Sequence, residues 1–142
     1  MGRIDVSVPG EPGDFSFVQQ IRVRFAETDA MGVVHHAAYL LYLEETRVAY
    51  LRSIDHPYDE VRAQGTDFPV VEIGISYLRP AHFDEIVNVH LALAAVRGAT
   101  FQLAYLLQVG SSTVATAVTA HAAVDRESGQ PKRVPKWLAI PG

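Results

Sequence analysis

From Phe17 to Phe25 the apolar residues Phe17, Ile21, Val23 and Phe25 alternate with Val18, Gln20, Arg22 and Arg24, which predicts a strand with one mostly polar face. The period then changes. His36 to about Leu51 contains neither Gly nor Pro and is rich in Ala, Leu, Glu and Arg, so it predicts a helix of about 16 residues, roughly 24 Å long. Its first half, Ala37 to Leu43, is apolar on every side, and such a helix has to be covered over most of its circumference. A short helical turn is expected at Tyr58 to Gln64, with Gly65 placed to end it.

Period-2 alternation returns in the second half. Val71 to Tyr77, Val87 to Leu93, Phe101 to Val109 and Thr113 to Val124 read as four more strands, punctuated by Pro80, Arg97-Gly98-Ala99 and Gly110-Ser111-Ser112. Tight turns make such neighbours antiparallel. About five strands and one long helix predict an α+β fold in which a single curled antiparallel sheet wraps one central helix. A ferredoxin-like arrangement needs a second long helix, and an up-and-down barrel has no room for this one. One sheet covers only one side of the helix, so a second copy of the chain is expected to close the core. Residues 1 to 15 hold two prolines and three glycines, and 1–14 are expected to be a flexible leader ahead of a single domain over 15–142.

Composition narrows the chemistry. The chain has 142 residues, 49% of them hydrophobic, which suits one folded domain. With 16 acids against 12 bases and a net charge of −4, no general field favours nucleic acid, and none is expected as a partner. No run of 18 apolar residues and no signal-peptide pattern occurs, so neither membrane insertion nor export is expected, and the cytoplasm is the expected location. The absence of cysteine excludes disulfides, a thiolate nucleophile and cysteine metal sites. His82, His90 and His121 fall on separate strands without ligand spacing, and no metal is expected. Ser111 and Ser112 lack the G-x-S-x-G elbow, and there is no glycine-rich phosphate loop.

The loop from Glu27 to Val34 brings Asp29 to the amino end of the buried helix. Unpaired N–H groups and the positive end of the dipole at such an end can stabilise an oxyanion, so Asp29 could attack a polarised carbonyl or activate water. It could equally cap a turn or pair with Arg24. Glu44 and Arg47, three apart on the helix, suggest an ion pair.

The string Thr28-Asp29-Ala30-Met31-Gly32-Val33-Val34-His35-His36-Ala37-Ala38-Tyr39, followed by Glu44 and Arg47, resembles the signature segment of hot dog fold acyl-CoA thioesterases of the 4-hydroxybenzoyl-CoA thioesterase-like family. Ser76-Tyr77-Leu78-Arg79-Pro80-Ala81 and Arg133-Val134-Pro135 are similar to later segments of that family, so the likeness spans roughly residues 18 to 138. The resemblance implies a hot dog fold, a homodimer or homotetramer, and hydrolysis of an acyl-CoA or aroyl-CoA without a cofactor, coenzyme A being part of the substrate. It assigns Asp29 as nucleophile or general base and the backbone N–H of His36 as the group that polarises the thioester carbonyl, with a catalytic or structural imidazole. Gly32, Val33, Val34, His35 and Tyr39 would line the substrate site, and His35 stands where relatives often carry Tyr or Trp. Arg97 and Thr100, and Arg79, are candidates for the nucleotide phosphates, although each arginine could be a solvated charge. Two other readings stand beside it, one from the same fold and one from a different functional class. A hot dog hydratase or dehydratase would show a D-x-N-P-x-H motif, which is missing, and a non-catalytic acyl-CoA binding protein would have no use for Asp29.

Overall fold

The computed structural model describes residues 3–140. Strand β1 (Phe17–Arg22) leads through a 3-10 turn (Phe25–Glu27) and a loop into helix α1 (His36–Ser53). A short helix α2 (Tyr58–Ala63) and strand β2 (Thr66–Asp67) follow, then β3 (Val70–Tyr77), β4 (Ile86–Arg97), β5 (Thr100–Val109), β6 (Ser112–Ala122) and β7 (Val124–Asp125). Five strands form one antiparallel sheet in the order β1-β4-β5-β6-β3, while β2 and β7 pair separately. One long helix against a five-stranded antiparallel sheet is the architecture the periodicity predicts.

The alternation explains the sheet. Val89 pairs with Leu107 and Leu91 with Tyr105, so these side chains share the face turned to α1. Ala38, Tyr39, Tyr42, Leu43, Thr46 and Tyr50 of α1 recur at helical spacing and are buried against that face. Each large apolar side chain so buried contributes about 1.5–3 kcal/mol. The β4–β5 connection is the two-residue hairpin expected, with Arg97 opposite Thr100 and Gly98 at a φ of +63°, a conformation for which glycine has no Cβ to clash.

Two expectations need correction, at the end of β1 and in the leader. The first strand stops at Arg22, not Phe25, because the Glu27 carboxylate accepts from the Arg24 N–H and tightens the chain into a turn. Within one chain only one stripe of α1 is covered. Leu40 and Leu41 stay exposed, Leu41 by 57%, as does edge strand β3, where Ile73 is 41% exposed. The leader, whose first two residues lie outside the described range, is also not free over its beginning: the Ile4 N–H donates to Glu72 Oε1 at 2.8 Å and the Asp5 N–H to Gln102 Oε1 at 3.1 Å. Among the described residues, no helix is long and apolar enough to cross a membrane.

Candidate active site

The loop before α1 is a small closed ladder. The His35 N–H donates to the Glu27 carbonyl at 3.1 Å, Thr28 bridges Val34, and the Asp29 N–H donates to the Val33 carbonyl at 2.9 Å. Gly32 makes the tip possible, with a φ of +77° and its N–H on the Asp29 carbonyl at 3.0 Å. A second loop holds the outer side: Val34 donates to the Ala81 carbonyl, Phe83 donates to the Gly32 carbonyl, and Val33 bridges His82. Val34 is therefore buried, and Val33 is half-buried.

Asp29 sits on this ladder opposite Val33, which lies three residues ahead of the helix start at His36. Its Oδ1 accepts from the Met31 N–H at 2.9 Å and the Val33 N–H at 3.3 Å, so the turn-capping role is real, whereas Arg24 pairs with Glu27 instead. Oδ2 has no partner among the described residues, and the side chain is exposed. Beside it, His35 occupies the N-cap without a side-chain cap, and the N–H groups of His36 and Ala37 have no acceptor among the described residues. An exposed carboxylate thus stands on the loop that leads into two unsatisfied donors at the positive end of a helix of 18 residues.

Aromatic rings fix this helix end. The His36 imidazole stacks on Tyr77 of β3 with centroids 4.1 Å apart, and the Tyr77 hydroxyl donates to the His36 carbonyl at 3.3 Å. Tyr39 is buried edge-on to both Tyr77 and Tyr42, and burial pushes its hydroxyl above the ordinary tyrosine range. The Tyr42 hydroxyl donates to Glu27 Oε1 at 2.8 Å. Burial pushes the Glu27 carboxyl up, but the bonds from the Arg24 N–H, the Tyr42 hydroxyl and the Arg24 side chain outweigh it and hold the group ionised below its ordinary value. Glu27 is a positioning residue for the loop; its place there is visible in the sequence, while its burial and its bond from Tyr42 are not.

The remaining candidates lie apart. Arg79, beyond the Tyr77 end of β3, donates to Ser112 Oγ at 2.6 Å. Arg97 and Thr100 lie at the Val70 end of the sheet, where Arg97 is paired with Asp5 at 2.7 Å and Thr100 bonds the Arg97 carbonyl. One chain therefore does not bring Arg97 and Thr100 to Asp29.

A cavity of about 430 Å³ also lies toward that end. Arg47, Tyr50 and Leu51 of α1 face Phe68, Phe101 and His121 across it, and its lining on the helix begins at Glu44, eight residues or about 12 Å beyond His36. The expected Glu44–Arg47 ion pair is not among the salt bridges of the described residues. Arg47 instead reaches the Tyr105 hydroxyl at 3.5 Å, which bonds Thr119 Oγ1 at 2.7 Å, which in turn bonds His121 Nε2 at 2.9 Å. Burial pushes the His121 imidazole down to about 4, so it is neutral at pH 7. Among the described residues no three His, Asp or Glu side chains cluster as metal ligands would.

Residues 23–141 match the model of the thioesterase-like superfamily. The acyl-CoA thioesterase YbgC of Haemophilus influenzae is 32% identical over 124 residues, covering 87% of this chain and 91% of its own length. The 1,4-dihydroxy-2-naphthoyl-CoA hydrolase of Synechococcus elongatus is 32% identical over 136 residues, covering 89% and 96%. A crystal structure of a protein from Aquifex aeolicus superposes with a TM-score of 0.81 at 36% identity, covering 85% of this chain and 94% of that one.

Proposed function

This chain belongs to the thioesterase-like superfamily, and on that premise we propose that it hydrolyses the thioester of an acyl-CoA or aroyl-CoA to the free acid and coenzyme A. The observation that carries the reading is the pairing of an exposed Asp29 carboxylate, Oδ2 unpartnered, with the open N–H groups of His36 and Ala37. The thioester carbonyl oxygen accepts from the helix start, where developing negative charge is stabilised. Asp29 either attacks the carbonyl carbon, expelling the coenzyme A thiolate and leaving a mixed anhydride that water then hydrolyses to the free acid, or takes the proton of a water that attacks the carbonyl and displaces the same thiolate directly. No cofactor enters either route. Gly32, Val33, Val34 and His35 wall the carbonyl, and Tyr39 backs them.

The active unit in this reading is a homodimer built on β3. That strand is an unpaired edge with exposed Ile73 and Tyr77, beside the exposed Leu40 and Leu41 of α1. A two-fold axis through its middle sets the Tyr77 end of one copy against the Val70 end of the other. The Asp29 loop of one copy then faces the 430 Å³ cavity of its partner, which takes the acyl or aroyl group, with Arg79 of one copy and Arg97 and Thr100 of the other at the mouth for the nucleotide phosphates. Thiol release from a panel of acyl- and aroyl-CoA thioesters tests the activity. Release from at least one thioester by the native protein, and its loss in Asp29→Asn, supports the reading, and binding without release contradicts it.

A further inference from the structure

We infer that residues 3–15 form an intramolecular strap which occupies the outer face of the sheet and keeps a second copy of the chain from docking there. An antiparallel sheet with one face in water alternates apolar and polar positions. This one does not. On β5, Leu103, Tyr105 and Leu107 face α1, yet the intervening Ala104 and Leu106 are 0% and 1% exposed, and Ala120 of β6 beside them is 2% exposed. Something covers the side away from the helix.

The cover is the amino-terminal segment. Ile4 lies over Gly74 of β3, its Cδ1 3.5 Å from where a Cβ on that glycine would stand. The Ile4 N–H is held by Glu72 of β3, and Asp5 makes a reciprocal pair with Gln102 of β5, its N–H donating to Oε1 at 3.1 Å while its Oδ1 accepts from Nε2 at 2.7 Å. Further on, the Phe15 ring meets His90 of β4 at 6.0 Å. Between these anchors the chain alternates, with Ile4, Val6 and Val8 half-buried and Arg3, Asp5 and Ser7 exposed, as an extended segment does when one side lies on a surface. From β3 to β4 is three strand spacings, roughly 14 Å, well within the reach of eleven extended residues at about 3.3 Å each.

What the strap covers decides what would replace it. On β5 and β6 the face carries Gln102, Ala104, Leu106, Gln108, Thr116, Val118 and Ala120, which are small or apolar and uncharged. The uncharged centre of this face, between Glu72 and Arg97 at its margin, would meet the same small and apolar residues of a second copy across a two-fold axis. The strap lies outside the matched family model, which begins at residue 23. The inference rests on neither Asp29 nor the thioester reaction.

Light scattering during gel filtration tests it on the full chain and on a chain lacking residues 1–15. The shortened chain is expected at twice the mass of the full one, returning to the smaller mass when a synthetic peptide of residues 1–15 is added in excess. An unchanged mass overturns the inference. Should the shortened chain precipitate, the full-length Glu72→Ala, Gln102→Ala variant decides: the Ile4 and Asp5 amides are expected to exchange hydrogen at least about tenfold faster, with larger species growing as concentration rises. Unaltered exchange at those two amides overturns the inference.

Discussion

Replacing one oxygen of Asp29 by nitrogen separates the two roles this residue holds. In Asp29→Asn the amide oxygen still accepts from the Met31 and Val33 N–H groups, so the turn keeps its cap and the melting temperature is expected to stay within about 2 °C. The charge and the nucleophile are gone, and kcat is expected to fall by at least about 100-fold in a thiol-release assay. His121 makes a prediction of a different kind. Its imidazole titrates near 4 in the folded chain against an ordinary 6.5, so between those values the unfolded chain binds the extra proton. Stability from this group is fully present above about 6.5 and is lost as pH falls toward 4, by roughly 3 kcal/mol in total. Denaturant unfolding at pH 7 and pH 4.5 should show that loss in the native protein and a smaller one in His121→Gln. Asp29 stands out in the sequence through the resemblance of its whole loop, since its place ahead of a glycine-free run suits a turn cap equally well. Glu27 was not, since a carboxylate is recognised as buried only once Tyr42 is seen to turn toward it, and Arg47 was misassigned to Glu44 because helical spacing permits that pair but Tyr105 lies within its reach.

Among the elements, α1 and the four later strands could be read from period alone, and most boundaries shifted little: the helix ends at Ser53 rather than near Leu51, while β4 runs on to Arg97, four residues past Leu93. The amino-terminal segment could not. Ile4, Val6 and Val8 do alternate with polar residues, but the prolines and glycines that follow hid a run too short to stand by itself, and its partner is a sheet face rather than a neighbouring strand. The apolar circumference of α1 was visible too, although half of its cover belongs to no element of one chain. Strand β3 is where that shortage can be tested. A lysine at Ile73 puts a charge on the open edge and opposes its continuation into a second sheet. Ile73→Lys is expected to halve the mass in solution and to reduce thiol release to background while circular dichroism stays native, with Asp29 untouched. Full activity at the halved mass would show that one chain suffices.

At the scale of the whole molecule, the carboxylate and the 430 Å³ cavity lie toward opposite ends of one sheet, and it is the two-fold axis proposed through β3 that would reunite them. Sequence could supply the carboxylate but neither the cavity nor its distance from Asp29, because what faces what along a curled sheet is set by pairing register and not by any local pattern. The test is a mixing experiment between Asp29→Asn and Val48→Trp, the second filling the cavity from the half-buried helix position that lines it. Each variant alone is expected to be inactive. Unfolded together and refolded, they form hybrids in which the native Asp29 of one copy meets the open cavity of the other, and random pairing should restore about one quarter of the native activity. No recovery, with hybrids demonstrated by mass, would contradict a site shared between two copies.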